Sequence, residues 1–182
     1  MADQLNVLVI CGSLRKGSYN AALTRALPAL VPPELKLVMA PTIGTFPLYN
    51  ADVQDASGFP APTEDLAAAI RAADGVLFVT PEYNWSMPGV LKNAIDWLSR
   101  MKEQPFKDKP VAIQSCSQGP LGGARMQYHW RMSMTLFMLA PPPGPVLPSG
   151  YCDRNVTEFQ RAANPCPRAV DGRRGSPYEP AT

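Results

Sequence analysis

The sequence predicts a doubly wound α/β domain built on a parallel sheet. Three observations carry this. Short apolar runs recur along the chain, helical apolar spacing follows each of them, and most of the links between them are short. A strand covered on both faces of a parallel sheet is continuously apolar rather than alternating, and the clearest runs here have that character.

The first run, Asn6-Val7-Leu8-Val9-Ile10-Cys11, ends at Gly12 and predicts a buried strand. Asn20 to Val31 predicts a helix, with Ala21, Leu23, Ala26, Leu27 and Leu30 at helical spacing. Leu35 to Met39 is a weaker second strand, and Pro41 to Pro62, rich in Pro, Gly and Asp, is expected to be a long loop. A Thr63-Glu64-Asp65 start predicts a helix to about Ala73. Gly75 to Thr80 is the third strand, Pro88 to Ser99 a helix, Pro110 to Ser115 the fourth strand, and Gly122 to about Leu139 a further helix. A sheet of this kind usually has five strands, so a fifth is expected after residue 139.

Composition narrows the function. The 182 residues carry 17 Lys+Arg against 15 Asp+Glu, a net charge of +2, which gives no support for nucleic-acid binding or a polybasic membrane contact. No run approaches the length of a membrane span, and Met1-Ala2-Asp3-Gln4 lacks the features of a signal peptide, so a cytoplasmic protein is expected. Cys11, Cys116, Cys152 and Cys166 show no CxxC spacing and His129 is the only histidine, so no metal site is expected. The cysteines are expected to act as small buried apolar side chains.

Ligands of open α/β sheets sit at the carboxyl ends of the strands, and three loops lie there. The first is Gly12-Ser13-Leu14-Arg15-Lys16-Gly17-Ser18-Tyr19-Asn20. Hydroxyl donors, a guanidinium and the N–H groups opening a helix are together what a phosphate needs. The plainer alternative is an ordinary strand–helix turn with a serine cap. Three other motifs come close and fail. A P-loop needs Lys where Ser18 stands, a dinucleotide GxGxxG needs Gly where Leu14 stands, and a cysteine-phosphatase loop needs Arg where Gly17 stands. The second loop, Thr80 to Gly89, gathers aromatics, amides and prolines. It suits the edge of a planar ring, or plain packing. The third, Ser117-Gln118-Gly119-Pro120-Leu121-Gly122-Gly123, allows close backbone approach before a helix whose dipole favours negative charge, or is a flexible turn.

The Gly12 to Asn20 segment resembles the phosphate loop of the NAD(P)H-dependent FMN reductase family. Pro81-Glu82-Tyr83-Asn84-Trp85-Ser86-Met87-Pro88-Gly89, running on to Trp97, resembles that family's second signature. The nearest resemblance is to its bacterial quinone and chromate reductases. It spans about Leu5 to Met134, roughly three quarters of the chain. The resemblance implies a flavodoxin-like three-layer α/β/α fold with strand order 2-1-3-4-5 and FMN held without a covalent link. It implies Ser13, Arg15, Ser18 and Asn20 at the FMN phosphate, with Tyr19 beside them. Pro81, Glu82, Tyr83 and Asn84 would meet the isoalloxazine, and Ser117, Gln118 and Gly119 its other edge. Arg100, Arg125 and Tyr128 would approach the nicotinamide cofactor or a neighbouring subunit of a homodimer or homotetramer. NADPH or NADH would be the co-substrate. A small-molecule acceptor (a quinone, free flavin, azo compound, ferric chelate or chromate) would take two electrons in a ping-pong cycle. No protein group would be catalytic, because the flavin carries the chemistry.

After about Thr135 the resemblance lapses. Nine of the 21 prolines lie in the last 42 residues, and neither the family's fifth strand nor its last helix is recognisable. The chain is therefore divided into a flavin-binding domain, 1–139, and an atypical Pro/Arg-rich segment, 140–182, which reads as a divergent tail or a shifted reading frame. Two rival readings follow. A flavodoxin-like electron carrier would not react with NAD(P)H directly, but such carriers are usually acidic and this chain is not. The other is a non-functional product with an altered C-terminus.

Overall fold

The computed structural model describes residues 4–135. β1 (Leu5–Cys11), β2 (Leu35–Met39), β3 (Gly75–Val79) and β4 (Val111–Gln114) form one sheet in the order β2-β1-β3-β4. All three pairings are parallel, with Val7 opposite Leu37 on one side and Gly75 on the other, and Val76 opposite Val111. This is the predicted flavodoxin-like order as far as the described residues reach. The fifth strand and the 140–182 segment lie outside them.

Side chains alternate across a strand, so each face of the sheet has its own core. Leu8, Ile10, Val76 and Phe78 face the larger one. There they meet α3 (Ala61–Ala72), α4 (Gly89–Leu98) and α5 (Ala124–Met134) through Leu66, Ile70, Leu91, Ile95 and Trp130. Phe78 lies at the centre, its ring 5.1 Å from Trp130 and 5.9 Å from Phe106. Val9, Leu77 and Val79 face the other side, against Leu27 and Leu23 of α1 (Tyr19–Ala26) and the turn that ends it. Every residue of β3 is buried. Each large side chain withdrawn from water this way contributes about 1.5–3 kcal/mol.

Three details depart from the sequence reading. α1 ends at Ala26 and continues only as a 3-10 turn, Leu27–Ala29, instead of running to Val31. Pro28 has no N–H for the next helical bond and its ring crowds the preceding turn. The 41–62 stretch is not all loop: it holds a 3-10 turn, Ile43–Thr45, and α2 (Ala51–Ser57). Asn50 caps α2 by accepting from the Asp52 N–H at 2.9 Å, and Gly58, at φ 76°, stops it. α3 starts at Ala61 behind Pro60, so Thr63 is not its cap but a buried residue of its first turn.

Long-range bonds fix the connections. Lys109 Nζ donates to the carbonyls of Arg71, at 2.8 Å, and of Ala73, closing the end of α3. Asn93 of α4 donates to the Pro47 carbonyl at 2.8 Å and accepts from the Tyr49 N–H at 2.8 Å, while Trp97 Nε1 also donates to Pro47. Among the described residues no helix is long and apolar enough to cross a membrane.

Candidate active site

The first loop leaves β1 at Gly12, whose N–H extends the ladder to the Val79 carbonyl at 2.9 Å. A Cβ on Gly12 would lie 2.5 Å from Thr80 Cβ and closer still to its hydroxyl, so only glycine lets the two strand ends meet here. The loop closes with Ser18 N–H on the Arg15 carbonyl at 3.0 Å. Ser18 then caps α1, its Oγ accepting from Asn20 N at 3.2 Å and Ala21 N at 3.4 Å. An oxygen that accepts twice keeps its own proton to donate elsewhere. Ser13 and Arg15 stand beside it, at the positive end of the helix dipole.

Asn20 faces inward. It is 2% exposed, and its amide grips the Cys116 peptide groups: Nδ2 donates to the carbonyl and Oδ1 accepts from the N–H, both at 2.9 Å. Gln118 Nε2 reaches the Tyr19 hydroxyl at 2.5 Å. The first and third loops, some 96 residues apart in sequence, are thus joined twice.

The second loop reverses at Tyr83–Ser86, where each backbone N–H donates to the other residue's carbonyl, at 2.9 and 3.0 Å. The two residues between have φ of 49° at Asn84 and 65° at Trp85. A tight turn of this hand needs positive φ at both positions. Asn tolerates that; a tryptophan there is strained and must be held. α5 holds it. The Arg125 guanidinium lies 3.8 Å from the Trp85 ring centre, Ser86 Oγ is 3.2 Å from His129 Nδ1, and Glu82 Oε2 accepts from the Met126 N–H at 3.0 Å.

These loops enclose one cleft of about 330 Å³. The first contributes Ser13, Arg15, Ser18, Tyr19 and Asn20, the second Pro81 and Tyr83, and the third Cys116, Ser117 and Gln118. Nine of these ten lining residues are among the twelve the sequence reading placed at a flavin. The tenth, Cys116, lies one residue ahead of the third loop as read from the sequence. Glu82, Asn84 and Gly119 do not line the cleft: Glu82 turns to α5, Asn84 shapes the turn, and the Gly119 carbonyl accepts from Ser117 Oγ and Gly122 N. Arg100, Arg125 and Tyr128 do not line it either. Arg100 lies over Tyr49 at 5.3 Å, Arg125 over Trp85, and Tyr128 is exposed on α5. A second cavity, of about 380 Å³, lies between α5 and the start of α4, lined by Ser86, Lys92 and His129 among others.

Comparison with known proteins decides the family. The sequence profile of the NADPH-dependent FMN reductases matches residues 5–151. The chain belongs to that family. It is 56% identical over 131 residues to a quinone reductase of Escherichia coli K12, covering 72% of this chain and 70% of that one. It is 52% identical over 141 residues to an NAD(P)H-dependent FMN reductase of Pseudomonas aeruginosa, covering 78% and 75%. Among solved structures it is similar to FerB, a flavoenzyme NAD(P)H:(acceptor) oxidoreductase from Paracoccus denitrificans, at 31% identity and a TM-score of 0.69, covering 88% of this chain and 93% of that one. FMN is the cofactor and NAD(P)H the co-substrate of an enzyme of this family. The cleft fits such a cofactor. One end offers a cation, two hydroxyls and a helix N-terminus for a phosphate, and the other offers Pro81, Tyr83 and Ser117 to a ring.

Proposed function

We propose that this chain is an FMN-dependent NAD(P)H:quinone oxidoreductase. The observation that carries the reading is the single cleft in which Ser13, Arg15 and Ser18 face the same space as Pro81, Tyr83 and Ser117. FMN, held in this cleft, would supply the two-electron redox chemistry that links NAD(P)H to the acceptor. The protein's part is to bind, orient and hold. Arg15 supplies the charge for the phosphate, and Ser13 and Ser18 supply hydroxyl donors. Tyr83 and Pro81 flank the ring, and Ser117 and Gln118 border its other edge. Asn20 and Tyr19 tie the phosphate end to the third loop.

In this reading NAD(P)H and the acceptor use the same face of the flavin in turn, so NAD(P)H leaves before the acceptor enters and the kinetics are ping-pong. Quinones are the acceptors favoured by the relatives' names; free flavin, azo compounds and chromate are further candidates. The flavin-binding unit falls within 1–139, with 140–182 appended to it, and the working form is a homodimer or homotetramer with Arg100, Arg125 and Tyr128 toward a neighbour or the nicotinamide.

The test is the absorption spectrum of purified protein reconstituted with FMN, before and after NADPH under nitrogen. It is followed by initial rates with a benzoquinone at several NADPH concentrations. Bound flavin that bleaches, with parallel double-reciprocal lines, is expected. Protein that stays colourless with added FMN, or that oxidises neither NADPH nor NADH with any quinone, overturns the reading. Intersecting lines overturn the ping-pong order alone.

A further inference from the structure

Glu82 sits between two residues that line the cleft, yet its side chain points the other way. Pro81 and Tyr83 face the flavin site, while the Glu82 carboxylate accepts the Met126 N–H at 3.0 Å. Met126 is the third residue of α5, a helix whose own cap position is Gly123, with φ 85° and no capping side chain. The third loop enters α5 through Gly122 and Gly123, both at positive φ. Two adjacent glycines leave the junction without intrinsic stiffness. The cap that α5 lacks locally therefore comes from 44 residues upstream, as a charged acceptor at the positive end of the helix dipole. Space is tight behind the junction. A Cβ on Gly123 would stand 2.7 Å from Ser115 Cβ, so the start of α5 cannot drift toward the sheet.

We propose that Glu82 is a positioning residue for the flavin site. By capping α5 it fixes the third loop against the second, so that both edges of the cleft are set by one carboxylate. It acts through Met126 and does not touch the cofactor. Arg125 on Trp85 and His129 beside Ser86 join the same two elements further along, while Glu82 ties the second loop to the first turn of α5, directly after the glycine junction. The effect on flavin affinity rests on the function proposed above; the effect on the junction does not.

The experiment compares Glu82→Ala and Glu82→Gln by hydrogen exchange of the FMN-free protein and by FMN titration. In Glu82→Ala, amide exchange over residues 121–128 is expected to rise about tenfold and the FMN dissociation constant to rise about tenfold, the scale of one charge-assisted hydrogen bond. Glu82→Gln keeps an acceptor oxygen and should stay within about threefold of wild type in both. Unchanged exchange in Glu82→Ala overturns the proposal. So does weaker FMN binding with exchange unchanged, which would mean direct contact with the flavin. If wild type binds no FMN, the functional reading fails, while the exchange result still decides the capping role. Should Glu82→Ala not fold, Glu82→Asp, shorter by one methylene, is read the same way.

Discussion

Replacing Asn20 by Ala removes the partners of two buried peptide groups at once. In the native protein Asn20 takes both the N–H and the carbonyl of Cys116, each at 2.9 Å, and is 2% exposed. A buried polar group deprived of its partner costs about 1–3 kcal/mol. Cys116 also borders the cleft, so water can reach part of the vacated space and the lower end of that range applies. Ala in the first turn of α1 is a better helix former than Asn by less than about 0.7 kcal/mol, a small offset. Two such groups at about 1 kcal/mol each, less that offset, leave a net loss of about 1.5 kcal/mol, which for a chain of this size lowers Tm by roughly 3–6 °C. Thermal unfolding of the FMN-free protein by circular dichroism measures it. The same clamp holds the first loop to the third, so on the proposed function FMN affinity should fall with stability. Asn20→Asp should bind FMN more weakly still, because it restores the acceptor but not the donor and adds a negative charge near the phosphate end. A Tm within about 2 °C of wild type, with FMN affinity unchanged, would refute the view that this amide joins the two loops.

Other perturbations separate binding from architecture. On the proposed function, Arg15→Ala should weaken FMN binding about 10–100-fold by fluorescence titration while Tm of the FMN-free protein barely moves, since the side chain is exposed at the cleft. Gly12→Ala should prevent folding or lower Tm sharply, because its methyl would overlap Thr80, and adding Thr80→Gly should recover part of the loss. Lys109→Met removes the cation that closes α3 on the Arg71 and Ala73 carbonyls and should cost about 1–2 kcal/mol by chemical denaturation, without altering FMN affinity. Lys92→Gln breaks the ion pair to Asp96, whose side chains are 48% and 34% exposed, and should change stability by less than about 0.5 kcal/mol.

The strands and the capped turn between β1 and α1 are legible because local pattern alone determines them. A continuous apolar run such as Gly75 to Val79 has no other place to go than the middle of a sheet. A serine before a helical pattern is its cap, and Ser18 is one. Reading fails where one local signal competes with another. The Asn50 cap that starts α2 lies among prolines and glycines, which argue for loop. Thr63 has the composition of a cap, but Pro62, already in the first turn with φ preset and no N–H to satisfy, lets α3 start earlier, at Ala61. The roles of Asn20 and Glu82 are illegible for a different reason. Each is a polar residue in a loop that resembles a flavin loop, and nothing in spacing tells a ligand contact from a bond to another loop. Only the positions of Cys116 and Met126 in space make that distinction.

The same two residues explain how a cleft made of three loops is already shaped for its ligand. Loops cost conformational entropy to order, and a site that ordered only on binding would lose affinity by that amount. Here the ordering takes place on folding. Asn20 joins the first loop to the third, Glu82 joins the second to the start of α5, and Gly12 against Thr80 seats the first on the second. Each joint is made by a residue that lies inside a motif yet turns away from the cleft or only partly toward it. A motif of this kind therefore specifies two things in the same few residues. On the proposed function, exposed Arg15 and Tyr83 serve the ligand, while Asn20 and Glu82 bond the neighbouring loops. Substitutions at the first pair should change binding without stability, and substitutions at the second should change both, a division that paired Tm and FMN titrations on four single variants would establish or remove.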